Sequence, residues 1–206
     1  MWRRCAQVSS PMTAHGRGAF LLLLGALSCA QPPAAPGSAF GPGCAASPSG
    51  AADPASFAAM AHLPVATALA QAPVAASWST AVAREGLVAE LDAAPALTLL
   101  VPVDPQPPGR VGMPALVERL SRHTIQSLVI PQRLSPERLP GCHPTLAGED
   151  RCVRGLADVQ EVPPQDRPPA TGVQLWVEGF AVQVVCANIQ TANATVYLLE
   201  ALPADR

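Results

Sequence analysis

The chain has 206 residues with 13 arginines, no lysine and 15 acidic groups, for a net charge of −2. That length suits one domain with a full core and leaves little room for a second, and the charge balance argues against nucleic acid or an anionic membrane surface as a partner. Enrichment in alanine, proline and arginine without lysine is the bias of a GC-rich genome, and alanine inflates the hydrophobic share of 49%.

The first elements in chain order are those of export. Arg3, Arg4 and Arg17 precede the apolar run AFLLLLGAL, Ala19 to Leu27. Such a run is too short to span a bilayer as a helix, and it has the proportions of a signal-peptide h-region, so residues 1–29 are expected to be a signal peptide. A start at Met12 would keep Arg17 and the same h-region. Two cleavage readings follow. Ala26-Leu27-Ser28-Cys29 resembles a bacterial lipobox, in which Cys29 receives a diacylglycerol group, although Ala26 and Leu27 stand in the reverse of the favoured order. Alternatively, signal peptidase cuts after Ala30, using Ser28 and Ala30 as its small residues. The lipid-anchored reading is preferred, because a cysteine directly behind the h-region has no other evident use. The chain is therefore expected on the outer face of the cell membrane through an N-terminal lipid anchor, or secreted. Residues 30–39, rich in Pro, Gly and Ala, read as a flexible tether, and 40–203 as the domain.

The first half of the domain reads as short helices. Asp53 followed by Pro54 is a cap with proline at the first helical position, and Phe57, Met60 and Ala61 then share a face. Val65 and Leu69 mark a second helix starting at Pro64. Val74, Trp78 and Val82 mark a third from Pro73, with Gly86 as its stop. LTLLVPV, from Leu97, reads as a buried strand, and VDPQPPGRVGM after it as an exposed loop. Pro114 to Gln126 is expected to be one helix carrying Leu116, Val117 and Leu120 inward. The segments SLVIP, CVRGLADVQEV, GVQLWVEG, FAVQVVCA and ATVYLLEAL are strand-like, with Glu178-Gly179 as a hairpin turn and Cys186 on the same face as Val182 and Val184. Helices first and strands later give an α+β class.

Outside the cytoplasm, thiols pair. Apart from Cys5 and Cys29, the chain has Cys44, Cys142, Cys152 and Cys186, and four cysteines allow three connectivities that sequence alone does not decide. Cys142 and Cys152 flank the short polar loop CHPTLAGEDRC and are natural local partners, which leaves Cys44 for Cys186. Cys142, His143 and Cys152 lack the paired spacing of a zinc site, and His143 reads as a solvated loop residue. The histidines at 15, 62, 123 and 143 occur in no HExxH or related setting, and no catalytic residue, metal or cofactor is expected.

VQVVCANIQTANATVYLLEALP, Val182 to Pro203, resembles the second signature of the fasciclin domain family. FGPGCAA at Phe40 to Ala46 and LPVATAL after it are similar to the N-terminal arm of secreted and lipoprotein mycobacterial antigens of that family. The resemblance covers Phe40 to Pro203. It implies a fold of N-terminal short helices packed on a wedge-shaped β-sandwich, and it maps a bridge onto Cys44 and Cys186. The first family signature survives only as TLLVPVDPQ, where Thr98, Pro102 and Asp104 keep their places and Asp104 takes the turn-capping role. The Tyr-His pair linked to adhesion in animal relatives falls on Ser127-Leu128, so neither residue is present. Asn193-Ala194-Thr195 matches an N-glycosylation sequon but is read as structure, with Thr191, Asn193 and Thr195 bonding nearby backbone. The implied role is a non-catalytic adhesion or binding module whose partner is an extracellular protein or envelope glycan. The alternative is a carrier of a small lipid or apolar ligand between helices and strands.

Overall fold

The computed structural model describes residues 38–48, 50, 52–104, 116–154, 173–177 and 180–203. The expected signal peptide with Cys29, most of the tether, the loop beyond Asp104, the strand expected past Arg154 and the Glu178-Gly179 turn lie outside the described residues. The described residues all fall in one compact unit.

Six α-helices, none longer than nine residues, are described: α1 Phe57–Met60, α2 Val65–Leu69, α3 Ala76–Arg84, α4 Val88–Ala93, α5 Leu116–Arg119 and α6 Arg122–Ser127. Short 3-10 turns at Cys44–Ala46 and Pro73–Ala75 accompany them. The cap of α1 is Ser56, whose side chain accepts from Ala59 N at 3.2 Å, rather than Asp53. Asp53 Oδ1 instead accepts from Ala55 N at 2.9 Å, a local turn that delays the helix. The single helix expected from Pro114 to Gln126 is interrupted at Leu120, because the Ser121 side chain accepts from Thr124 N at 3.2 Å and starts α6 afresh. Helix α4 was not expected from the sequence.

Seven strands follow: β1 Leu97–Pro102, β2 Val129–Ile130, β3 Gly141–Pro144, β4 Asp150–Arg154, β5 Val173–Val177, β6 Phe180–Gln190 and β7 Ala194–Leu199. They form one hydrogen-bonded sheet in the order β2-β1-β7-β6-β5-β4-β3, all antiparallel except the β1–β7 pair. The loop CHPTLAGEDRC is thus a hairpin of β3 and β4. Its turn reaches the opposite end of the sheet, where Leu146 N donates to Val129 O of β2 at 2.9 Å. The α+β class stands, with all the described strands in one continuous ladder whose ends meet.

Both β1 and β7 are buried along their whole length. In an antiparallel sheet with one wet face the pattern would alternate, so this pair is covered on both faces. Trp78, Leu69, Met60, Leu87 and Leu91 from the helices join Leu99, Leu100, Val196 and Leu198 in one core. Along β6, Val182, Val184 and Cys186 are buried while Gln183 and Val185 are half-exposed, the alternation expected from the sequence. Register shifts between Val184 and Ile189, with Asn188 at φ 58°, then break the alternation.

The N-terminal arm lies along β6. Phe40 and Ala187 exchange backbone bonds of 3.1 and 2.7 Å, Gly43 N donates to Val185 O at 2.8 Å, and Cys44 is bonded to Cys186 across 142 residues of sequence. In the chain-entropy description a bridge of that span restrains the unfolded chain by roughly 4 to 5 kcal/mol. Two glycines allow the close approach. A Cβ on Gly41, at φ +130°, would stand 2.7 Å from Val185 O, and one on Gly43 would meet the Val185 side chain. Gly41→Ala is therefore expected to destabilise by roughly 1 to 3 kcal/mol, lowering the thermal midpoint by roughly 3 to 9 °C. An unchanged midpoint in calorimetry would show that the arm is not held against β6.

Candidate functional site

The residues singled out by the sequence converge where the β6–β7 turn meets the helices. Helix α2 begins with Pro64 as its cap and no local side chain for its free amides. Those amides are satisfied from elsewhere. Val65 N donates to Asn193 Oδ1 at 2.9 Å, Ala66 N to Asp92 Oδ1 at 2.7 Å, and Thr67 adds its N–H at 3.3 Å and its hydroxyl at 2.6 Å to Asp92. The Asn193 amide nitrogen donates in turn to Leu91 O at 2.8 Å, Asp92 O at 3.4 Å and Ala94 O at 2.9 Å, the open carbonyls at the end of α4. One half-buried side chain thus ties the start of α2 to the end of α4.

The turn itself is closed on all sides. Thr191 Oγ1 accepts from Ala194 N at 3.0 Å, Thr191 N donates to Ala194 O at 2.9 Å, Ala192 N donates to Leu63 O at 2.9 Å and Leu97 N to Asn193 O at 3.0 Å. Arg133 Nη2 donates to Thr191 O at 2.7 Å. Thr195 Oγ1 stands 3.5 Å from Gln190 Oε1. With Nδ2 of Asn193 directed at three carbonyls, the sequon asparagine has no free amide in the folded domain.

A second junction lies at the ends of β1. Thr98 Oγ1 donates to Gln132 O at 2.7 Å and accepts from Leu134 N at 2.8 Å, fixing the segment after β2. Leu134 O accepts from the buried Tyr197 hydroxyl at 3.2 Å. Burial, and then the nearby Glu137 carboxylate, push the Tyr197 hydroxyl well above the usual tyrosine range. At the other end, buried Pro102 closes β1, and Asp104 Oδ2 accepts from Ser77 N at 3.1 Å while Asp104 N donates to Val74 O at 2.9 Å. Asp104 was expected to cap its own turn, but it caps the exposed amide end of α3, a carboxylate at the positive pole of the longest helix.

Arginines serve the opposite helix ends. Arg84 on α3 donates to Val117 O at 2.9 Å and Leu120 O at 2.7 Å around α5, and Arg122 on α6 donates to Glu85 O at the end of α3. Asp92, Arg84, Arg122 and Tyr197 were not singled out from the sequence. For Asp92 and Arg84 the visible signal was position, an acid or a base a few residues from a Pro or Gly break; for Tyr197 it was its place in the TANATVY run, and Arg122 had none.

Other candidates are dispersed. His62 and His123 are exposed, with His123 Nε2 3.4 Å from Glu149 Oε1, and His143 Nε2 lies 2.9 Å from Leu139 O. Ser127 and Leu128, which replace the Tyr-His pair, are only 2% and 1% exposed. Ser127 Oγ donates to Thr124 O at 2.9 Å, and Ser127 O accepts from buried Arg151 Nε at 3.1 Å. That position therefore faces the interior and offers no contact surface. The cystines are Cys44–Cys186 and Cys142–Cys152, with Cα separations of 4.9 and 3.9 Å.

No family model matches the chain, and no curated protein does. Among solved structures, it is similar to a FAS1 domain pair from the insect cell adhesion molecule Fasciclin I, at 11% identity with a TM-score of 0.52, over 71% of this chain and 52% of that one. The likeness shows the fold: the chain carries a FAS1-like α+β arrangement and spans about half the length of the solved chain.

Asn193→Ala would leave the Val65 amide and the carbonyls at the end of α4 without their partner. It is expected to destabilise by roughly 2 to 4 kcal/mol in urea unfolding; a change below about 0.5 kcal/mol would refute the clamp. Tyr197 is the sole tyrosine, so its ionisation can be followed by absorbance. Its folded-state value lies above the unfolded value of 10.0, so the associated stability is complete below pH 10.0 and declines as pH rises toward the folded value. The tyrosinate signal should appear together with alkaline unfolding. Ionisation near pH 10.0 with the circular dichroism intact would contradict the buried placement.

Proposed function

We propose that the chain is an exported, non-catalytic surface module of fasciclin type, held at the outer face of the membrane by a lipid on Cys29, which binds an extracellular protein or envelope glycan. The observation that carries the reading is the fold likeness to a domain pair from a cell adhesion molecule. Two cystines support an oxidising compartment. Among the described residues no helix is long and apolar enough to cross a membrane, which suits an attachment outside the domain. The arm FGPGCAA bridged to β6, together with the TANATVY turn, supports the finer likeness to mycobacterial fasciclin-type antigens. Because Ser127-Leu128 is interior, contact with a partner uses another face of the domain.

Cys29→Ala is expected to move the full-length protein from the membrane to the soluble fraction. An unchanged distribution removes the anchor. The released protein should then bind isolated envelope saturably, and binding should fall when envelope proteins or glycans are digested. Absence of saturable binding, with a lipid co-purifying in stoichiometric amount by mass spectrometry, would replace the adhesion reading with the carrier.

A further inference from the structure

The Cys142–Cys152 cystine occupies a different environment from Cys44–Cys186. Thr145 N donates to Glu149 O at 2.9 Å, so Thr145 and Glu149 form a hydrogen-bonded pair of the β3–β4 hairpin. Alternation along the register Pro144↔Asp150, His143↔Arg151 and Cys142↔Cys152 puts the cysteines at a non-hydrogen-bonded position. Breaking the sulfur–sulfur bond there removes no ladder bond. Cys142 is exposed and Cys152 half-buried, and β3 is the last strand of the sheet. In the other cystine neither residue is exposed: Cys44 is half-buried and Cys186 is 0% exposed on β6, between β5 and β7.

Access decides thiol exchange, because the attacking thiolate approaches in line with the bond it breaks. Of the four paired cysteines only Cys142, on the end strand β3, is exposed, which makes its sulfur the accessible one. The same hairpin closes the sheet: Leu146 N reaches Val129 O at 2.9 Å, Arg151 Nε reaches Ser127 O at 3.1 Å, and Glu149 lies 3.4 Å from His123 on α6.

We propose that Cys142–Cys152 is a thiol-exchange site for an external dithiol, and that its oxidised form clasps the hairpin against β2 and α6. One thiolate of the dithiol attacks Cys142 Sγ, forming a mixed disulfide and releasing Cys152 as a thiolate that takes up a proton. The second thiol of the reductant, deprotonated, then attacks its own sulfur in the mixed disulfide, closing a cyclic disulfide and releasing Cys142, which is protonated in turn. Two electrons pass from dithiol to cystine. Cys44–Cys186 stays oxidised, and the helices and central strands stay folded.

The test is timed exposure of the native full chain to dithiothreitol, followed by alkylation, peptide mapping and hydrogen exchange. Cys142 and Cys152 should be alkylated at least about tenfold faster than Cys44 and Cys186. Exchange should rise at the Leu146 amide and leave Leu99 and Val196 protected. Simultaneous reduction of both cystines, or earlier reduction of Cys44–Cys186, would overturn the site. A Cys142→Ser, Cys152→Ser double variant gives an independent reading of the clasp. It should fold with Cys44–Cys186 intact and show the same faster exchange at Leu146, whereas unchanged protection there would overturn the coupling to sheet closure.

Discussion

Short helices leave most of their backbone polar groups at their own ends, and this constraint shapes the helical half of the domain. A helix of four to six residues, such as α1, α2, α4, α5 or α6, makes almost no internal hydrogen bonds. Its amides and carbonyls must find partners in neighbouring elements or remain unpaired beside the core, at a cost of about 1 to 3 kcal/mol each. Asn193 and Asp92 supply α2, Asn193 closes α4, Asp104 supplies α3, and Arg84 and Arg122 cover the carbonyl ends of α5 and α3. The helices are thus held less by propensity than by polar side chains sent from the sheet and from each other.

The same logic explains why the residues marked by the family resemblance are structural. Thr98, Asp104, Thr191 and Asn193 each satisfy backbone groups in a neighbouring segment or close the turn that makes such bonds possible. These links join polar side chains to backbone groups, so they place few demands on the apolar residues around them.

How much of this was legible in the sequence depended on range. The buried strands Leu97–Pro102 and Ala194–Leu199 announced themselves as continuous apolar runs, and α3 by the recurrence of Val74, Trp78 and Val82. Helix α4 was missed because VAELDA is too short for its period to show and Leu91 is its only buried residue. The break at Leu120 was missed because local periodicity ran across it, although Ser121 is a good cap. The C-terminal part of β4 was expected from CVRG, whereas β3 was hidden because its polar, mostly exposed residues look like a loop and it is defined by pairing rather than by burial. The turn at Asn193 could be placed from the TANATVY pattern. Its partners at Val65 and Leu91 lie more than a hundred residues away and leave no local trace.

The fully buried part of the sheet is made by the parallel pairing of β1 with β7, strands about a hundred residues apart, with β6 on the far side of β7. Nothing local can assemble that pair. The helices and β1 emerge first, but β1 has only the two-residue β2 to pair with until the last strand is available. Non-local pairing of this kind folds slowly. The sheet therefore closes only when β7 docks between β1 and β6.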